Sequence, residues 1–149
     1  MKLLFLTFVL VISGCSTTSL QSPISYSDSI EVIRTAAESA PNGVEGLYTL
    51  KIKAVGSQGP YFYLNTELDY RDQRAVTVAL HPSTIEQFTA KYGTSPQDYF
   101  VDKSIRVEGQ AKRVRINFIS QGKKTEKYYY QTHIRVTDVS QIEVINEST

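Results

Sequence analysis

The chain has 149 residues, and its 16 Lys and Arg residues nearly balance 15 Asp and Glu residues, giving a net charge of +1 at pH 7. That length suits one domain with a sizeable core. The balanced charge argues against a general nucleic-acid binder, because such proteins gain much of their affinity from a basic excess. A single cysteine excludes an intramolecular disulfide, and ten tyrosines without a tryptophan favour a β-rich core.

The first segment has the pattern of an export signal. Lys2 precedes an apolar run, Leu3 to Ile12, which is too short to span a bilayer because a spanning helix needs roughly 20 apolar residues. The run ends in Ser13-Gly14-Cys15, with small residues directly before the cysteine. This pattern resembles the lipobox of bacterial lipoproteins, which implies cleavage after Gly14 and diacylglyceryl transfer to the Cys15 thiol. A plain secreted protein is the alternative.

The lipobox resemblance implies that a membrane is the partner of Cys15. Several acyl chains on one residue make a durable anchor, whereas a single chain binds only marginally. Ser16, rather than Asp, follows the cysteine, which among such lipoproteins implies the outer membrane and a domain facing the periplasm. We expect residues 1–14 to be the signal peptide and residues 15–27, rich in Ser and Thr, to be a flexible tether with a reach of about 20 Å. Removal of Lys2 with the signal peptide brings the net charge to about zero.

Residues 28–149 are predicted to form a single domain that begins with a short helix. Asp28 and Glu31 have the spacing of a capping box, and the helix is expected to end near Ser39. Beyond Gly46 the apolar residues recur with a period of two, which predicts strands. The predicted strands are Tyr48–Ala54, Tyr61–Leu64, Ala75–Leu80, Lys103–Phe118 and Tyr128–Val136.

Two further elements are predicted from the pattern around the strands. A helix follows the third strand, with Ser83 as its N-cap and Gly93 after its end, and a loop from Thr94 to Asp102 comes next. In the long fourth strand the apolar residues change parity, and one extra residue near Lys112-Arg113 would restore the alternation. We therefore predict a β-bulge or a bend at that point.

The predicted order is three strands, a capped helix, a long strand and a final strand. This order resembles that of the OB-fold. The resemblance covers about residues 44–145, and the run from Lys103 to Gly109 is similar to the K-x-V-x-V-x-G pattern of the fourth strand in small bacterial OB-fold domains. It implies an all-β domain of small helical content: a five-stranded Greek-key barrel with a helix between strands three and four and a short N-terminal helix. A β-sandwich or a lipocalin-like barrel is the alternative.

The OB-fold resemblance also implies a binding face on strands two and three, where such domains bind oligonucleotides and oligosaccharides. In this chain the face would include Tyr61, Tyr63 and Thr77, with Lys123 and Lys124 at its edge. Aromatic rings beside cations are typical of single-strand nucleic-acid binding. The alternative is that these tyrosines belong to the core or to its rim.

A basic segment runs from Lys103 to Arg135, where nine cations face two acids and the local charge is about +7. Arg113 and Arg115 lie at its centre and are candidate ligand-binding residues. Such a concentration of charge favours a phosphate-bearing partner or anionic lipid headgroups. The alternative is a solvated strand edge, on which cations discourage edge pairing.

The remaining polar candidates give little support to catalysis. The loop from Glu67 to Arg74 alternates acids with Arg71 and Arg74, which are candidate ligand-binding residues. The loop lacks the spacing of the nucleases that use a related barrel, and we expect ion pairs within it. His81 and His133 have no partners at metal-ligand spacing, so no metal or cofactor is predicted. No serine lies in a nucleophile elbow.

These features together predict a lipid-anchored, non-enzymatic binding or adaptor module of the cell envelope that binds a protein or an envelope polysaccharide. One alternative is a structural or stress-response envelope lipoprotein. Another is an oligonucleotide- or phosphate-binding OB domain or a nuclease-like enzyme, although a periplasmic location argues against a nucleic-acid partner. No motif in the sequence identifies the ligand.

Overall fold

The computed structural model describes residues 22–145, which fold mostly as β-sheet with few helices. The predicted signal peptide, Cys15 and the first part of the tether lie outside the described residues. The strands are β1 (Ser25–Tyr26), β2 (Val44–Lys51), β3 (Ala54–Gln58), β4 (Tyr61–Asn65), β5 (Val76–Leu80), β6 (Ser104–Ser120), β7 (Lys123–Val136) and β8 (Ile142–Ile145). The helices are α1 (Ser29–Glu38), α2 (Pro82–Tyr92) and α3 (Pro96–Phe100), with a 3₁₀ turn at Val139–Gln141. Within this part of the chain no helix is both long and apolar enough to cross a bilayer.

The strands form one mixed sheet in the order β1-β2-β6-β7-β5-β4-β3, with β8 paired to β6. The β1–β2 and β5–β7 pairs are parallel, and the other pairs are antiparallel. The sheet is open, because no ladder joins β3 to β2 among the described residues. The mostly β prediction is confirmed, but the five-stranded barrel is not: over residues 22–145 the sheet has eight strands and does not close.

The difference in strand count has a local physical cause. β1 is a short strand paired with β2, β8 is a short strand paired with β6, and the predicted first strand is divided into β2 and β3 at Ile52 and Lys53. The Ile52 N–H donates to the Lys103 carbonyl at 2.9 Å, whereas the Lys53 N–H donates to the Asn65 carbonyl at 2.9 Å. The chain therefore changes its hydrogen-bonding partner between two consecutive residues, which interrupts the strand.

The ordered domain begins earlier than the sequence predicts. The sequence predicts a tether that continues to Ser27, but Ser25 and Tyr26 pair in parallel with β2. The Tyr26 ring is buried and stacks on the Tyr48 ring with the centroids 5.3 Å apart. Gly46 permits this approach, since a Cβ there would lie 3.0 Å from the Ile24 carbonyl oxygen and from the Tyr26 ring. Burial of an aromatic ring is what draws this segment into the fold.

One face of the sheet supplies the core. Alternate residues of β2, β6 and β7 point inward, and all of β5 is buried. Helices α2 and α3 add Phe88 and Phe100, whose ring centroids lie 4.9 Å apart. The largest fully buried side chains are Tyr48, Phe88, Phe100, Leu50, Ile52, Leu64, Leu80, Ile105, Ile134, Val32, Val76 and Val78.

The helices are found where the sequence predicts them, with differences at their caps. Asp28 caps α1 by accepting a hydrogen bond from the Ile30 N–H at 2.9 Å. His81, and not Ser83, is the N-cap of α2, because Pro82 occupies the first helical position. Gly93 ends α2 in the left-handed conformation, as predicted. The predicted loop after it contains the short helix α3.

The β6–β7 hairpin has two halves that differ in burial. Pairing continues without a shift from Ala111 to Asn117, so the predicted bulge at Lys112-Arg113 is wrong, and the register shift lies between Asn117 and Ile119. The apolar parity changes because the hairpin leaves the core: Ala111 and Thr132 are buried, and no residue between them is. We call residues 112–131 the arm and the rest of β6 and β7 the body of the hairpin.

Candidate binding cleft on the outer sheet face

A cleft of about 350 Å³ lies on the face of the sheet that points away from the core. The strand register explains its position: Asn65 pairs with Thr77, and Thr77 pairs with His133, so these residues of β4, β5 and β7 lie side by side. Their neighbours along each strand, such as Leu64 and Val78, point into the core. The residues that line the cleft are Gly56, Ser57, Gln58, Tyr63, Asn65, Tyr70, Thr77, Ile116, Tyr129, Gln131 and His133.

Hydrogen bonds hold the floor of the cleft in place. The Thr77 hydroxyl donates to Asn65 Oδ1 at 2.8 Å, and Asn65 Nδ2 donates to the Tyr63 carbonyl at 3.3 Å. Asn65 and Thr77 are both buried, so their polar groups need these partners. The two side chains present a fixed amide and hydroxyl at the base of the site.

A second network forms the wall of the cleft along β7. Gln131 Nε2 donates to the Tyr70 carbonyl at 2.8 Å and to the Tyr129 hydroxyl at 3.3 Å. Its Oε1 therefore faces His133 Nε2, 2.7 Å away, and accepts a hydrogen bond from that ring nitrogen. The network ties the Tyr70 loop to the sheet and fixes the orientation of the imidazole.

The cleft is electrically neutral at physiological pH. Burial, with a smaller contribution from the charge of Arg135, lowers the pKa of His133 to about 4, so the ring is uncharged. No Lys, Arg, Asp or Glu is among the lining residues. The Tyr129 phenol also stays neutral, because burial raises its pKa. What the cleft offers to a ligand is tyrosine rings, amides, hydroxyls and one neutral imidazole.

The predicted tyrosines of β4 are placed differently from one another. Tyr63 lines the cleft, and its ring centroid lies 6.3 Å from that of His133. Tyr61 shares the face but lies outside the lining, with its ring 6.4 Å from Tyr63 and edge-on to His81 at 5.8 Å. Thr77, also expected on this face, is part of the floor.

Sequence reasoning missed most of the wall residues. Tyr129, Gln131 and His133 alternate with inward-pointing residues of β7, and that parity is the signal that groups them on one outer face. The parity does not show that Tyr70 reaches them, since its contact with Gln131 joins positions 61 residues apart in the sequence.

The loop arginines are held within their own loop. Arg71 pairs with Asp69 at 3.1 Å and Arg74 pairs with Asp72 at 2.7 Å, so the predicted loop ion pairs are confirmed. The hydrogen bonds from Arg74 lower the pKa of Asp72 to about 2. Neither arginine lines the cleft, although Arg71 lies 5.7 Å from the Tyr70 ring centroid.

The basic candidates lie on the arm, away from the cleft. Arg113 is stacked over the Tyr130 ring at 3.6 Å, and Arg115 over the Tyr128 ring at 4.0 Å. This face of the arm continues the inner face of the body, because Arg113 pairs with Thr132, whose side chain is buried. A second cleft of about 450 Å³ separates it from α1. The residues of the second cleft are Ile33, Ala37, Gln73, Arg113, Tyr128, Tyr129, Tyr130, Gln131 and Thr132.

Lys123 and Lys124 are exposed on the first residues of β7, at the tip of the arm. The structure therefore does not bring the predicted cations to the edge of the aromatic cleft. It divides the candidates into a neutral aromatic cleft, a stacked arginine face and a lysine-bearing tip. Among the described residues, no group of three His, Cys, Asp or Glu side chains is placed to hold a metal ion.

Comparisons with known proteins give weak similarity only. No family model matches the sequence, and no curated protein matches it. The chain is similar to an aspartyl-tRNA synthetase from Entamoeba histolytica, with 16% identity, a TM-score of 0.47, and coverage of 97% of this chain and 28% of that chain. It is also similar to a putative aspartyl-tRNA synthetase from Leishmania major Friedlin, with 11% identity, a TM-score of 0.47, and coverage of 91% and 23%.

Two other solved structures are similar over more of their own length. One is an OBody bound to hen egg-white lysozyme, with 16% identity, a TM-score of 0.49, and coverage of 85% of this chain and 100% of that chain. The other is the Est3 telomerase subunit of the yeast Hansenula polymorpha, with 11% identity, a TM-score of 0.48, and coverage of 95% and 82%. The chain spans less than a third of either synthetase, and none of these similarities assigns it a ligand.

Proposed function

We propose that this chain is a non-enzymatic binding module of the cell envelope whose outer-face cleft binds a neutral, hydroxyl-rich ligand, such as a segment of envelope polysaccharide. The observation that carries the proposal is the lining of the cleft, which combines tyrosine rings and amides without any ionic side chain. Phosphate-bearing ligands need cations at the contact, and the cleft has none. A neutral polyol has no such requirement.

The arrangement of the lining matches what a sugar ring needs. Tyr63, Tyr70 and Tyr129 line the cleft and supply aromatic rings on which the C–H face of a sugar ring can pack. Asn65 and Gln131 are held by hydrogen bonds and present their amides in fixed directions. Few polar groups at fixed positions among apolar surface are the usual composition of a small-ligand site.

We also propose that the sheet works as an OB-like scaffold. Two features support this: β2 and β3 are consecutive in the chain, separated by Ile52 and Lys53 alone, and β5 pairs in parallel with β7 after a helical connection. The helix α2 lies between β5 and β6, at the place that the resemblance requires. In such a scaffold the cleft falls on the face that OB-folds use for oligosaccharides and oligonucleotides.

A titration with soluble oligosaccharides tests the cleft. We expect an N-acetylglucosamine tetramer or another neutral envelope glycan to bind, and Tyr70→Ala to weaken that binding roughly tenfold, as the loss of one aromatic contact does. Leu68→Ala is the matched control, since Leu68 is exposed on the same loop and does not line the cleft. Equal effects of the two variants, or no binding by any neutral glycan, contradict the proposal.

The anchor is a separate part of the proposal. We propose that Cys15 carries the lipid and holds the domain at the outer membrane, facing the periplasm. Lipid attachment needs the thiol, so Cys15→Ser should move the protein from the membrane fraction to the soluble periplasmic fraction. The anchor proposal is contradicted if Cys15→Ser stays membrane-bound or if the wild-type protein shows no mass increase from acyl chains. Neither result bears on the proposal for the cleft.

Oligonucleotide binding is the second candidate, and the arm supports it. Arg113 and Arg115, each stacked on a tyrosine, keep the N–H edges of their guanidinium groups available to phosphate. A single-stranded oligonucleotide should then bind with an affinity that falls steeply with salt. Arg113→Gln should reduce that salt slope, whereas Tyr70→Ala should not.

A further inference from the structure

The tip of the arm, next to the turn at Gln121 and Gly122, carries exposed apolar side chains. Phe118 is 46% exposed and Ile119 is 65% exposed, although each is a large apolar residue. From Lys112 to Ser120 the strand extends about 27 Å at the rise per residue of β-structure, so the tip stands well away from the core. Phe118 packs on one side against the Tyr129 ring, with the centroids 5.2 Å apart, and Ile119 is left mostly uncovered by the rest of the fold.

Cations surround the apolar pair. Ile119 pairs with Lys124 and Ser120 pairs with Lys123, so Lys124 lies beside Ile119 and Lys123 lies one position nearer the turn. Glu126 is the only acid within the arm. None of the arm cations forms an ion pair with a carboxylate among the described residues. The cations of the arm are Lys112, Arg113, Arg115, Lys123, Lys124 and Lys127.

Below the tip, tyrosines and arginines alternate. Arg115 lies over Tyr128 at 4.0 Å and Arg113 over Tyr130 at 3.6 Å, and the two tyrosines are 47% and 40% exposed. Arg115 is about 13 Å along the strand from Ile119. Tyrosine and arginine at this depth are characteristic of the boundary between acyl chains and headgroups. From the turn inward, the arm therefore presents the two lysines level with Ser120 and Ile119, then Phe118, then an arginine–tyrosine belt.

We propose that the arm tip binds a bilayer that carries anionic lipids, with Phe118 and Ile119 entering the interface and the lysines contacting headgroups. The pairing of the two features selects this partner. A nucleic acid would satisfy the cations and leave Ile119 in water, whereas an anionic bilayer satisfies both the cations and the apolar pair. The proposal is independent of the cleft ligand and of the lipid on Cys15.

The absence of tryptophan from the sequence makes the tip easy to observe. Phe118→Trp in the full chain would be the single indole, and Leu68→Trp is its matched control, because Leu68 is 80% exposed on the loop after β4. Vesicles of phosphatidylcholine with phosphatidylglycerol, carrying brominated acyl chains, should quench and blue-shift Phe118→Trp and leave Leu68→Trp unchanged. Bromine quenches only nearby indoles. Membrane attachment through the N-terminus alone would therefore not quench an indole at position 118.

Charge variants in the Phe118→Trp protein test the headgroup contacts. Lys123→Gln and Lys124→Gln should each weaken binding to the anionic vesicles about fivefold, the effect of one cation at such a surface. Vesicles of phosphatidylcholine alone should bind more weakly. The proposal is overturned if both indoles are quenched alike, if neither is quenched, or if Phe118→Trp responds to single-stranded DNA and not to vesicles.

Discussion

The body and the arm of the β6–β7 hairpin are made of the same two strands and are stabilised in different ways. In the body, inward side chains such as Ile105, Val107 and Ile134 are fully buried. In the arm no residue is buried, and the inner face bears arginines stacked on tyrosines. The apolar residues of the arm, Val114 and Ile116 among them, have moved to the outer face. One hairpin therefore serves as core in one half and as an exposed surface in the other.

The two halves show how a pair of strands is stabilised where it extends beyond the core. A two-stranded ribbon is marginally stable in water unless side chains pack on it. The arm has such contacts on both faces: the Arg–Tyr stacks on the inner face, and Phe118 against Tyr129, with ring centroids 5.2 Å apart, on the outer face. Where the body gains stability from burial, the arm gains it from contacts that leave its side chains exposed.

Truncation of one isoleucine in each half should separate the two kinds of stabilisation most clearly. Ile134→Ala, in the body, opens a cavity at a fully buried position and should cost about 2–5 kcal/mol of unfolding free energy. Ile119→Ala, at the exposed tip, should stay within about 0.5 kcal/mol of wild type. Urea unfolding followed by circular dichroism measures both. A cost for Ile119→Ala close to that for Ile134→Ala would mean that the tip packs on something.

His133 lies next to the boundary between body and arm. Its burial should make the free energy of unfolding depend on pH in the acid range. Its pKa of about 4 in the fold lies below the ordinary 6.5, so the unfolded state binds more protons between these values. Stability should therefore fall as the pH drops from 6.5 to 4, by at most about 3 kcal/mol. His133→Gln should remove this loss and keep a hydrogen-bonding side chain beside Gln131.

The other acid-sensitive groups act in a different range. Asp72, whose pKa is lowered to about 2, loses its favourable charge only below the ordinary value of 3.8, so its contribution fades at lower pH than that of His133. His81→Gln is the control, and it should retain the loss between pH 6.5 and 4. Equal pH dependence of wild type and His133→Gln in urea unfolding would show that the imidazole is already well solvated.

Much of the body could be predicted from the sequence, because its strands repeat with a period of two and its helices have recognisable ends. The exceptions have tertiary causes. The interruption at Ile52 and Lys53 depends on which strand each N–H meets, which the local sequence does not contain. The two-residue strand β1 depends on a buried Tyr26 ring stacked on Tyr48, and a segment that short has no period.

The arm was harder to predict, because its apolar residues alternate in the opposite phase from those of the body. In the sequence alone, such a phase change is typical of an inserted residue. The change of apolar parity at Lys112 predicts an extra residue, whereas the register is intact and the apolar face has changed side. The cleft was predictable in part: parity places Tyr63 and Thr77 on its face. The Tyr70 wall was not predictable, because a loop must fold across β7 to bring it there.

The Arg113–Tyr130 stack should make the smallest energetic contribution among the contacts that distinguish arm from body. A double-mutant cycle measures its interaction energy. Arg113→Gln, Tyr130→Leu and the double variant should give a coupling of about 0.5–1 kcal/mol, the usual range for a cation over a ring at an exposed site. Arg135→Gln with Tyr130→Leu is the control pair, because Arg135 lies on β7 in the body and has no contact with that ring. Equal coupling in the two cycles would mean that the Arg113–Tyr130 stack does not stabilise the arm, and the arginine–tyrosine belt would then be free to rearrange when the tip binds a surface.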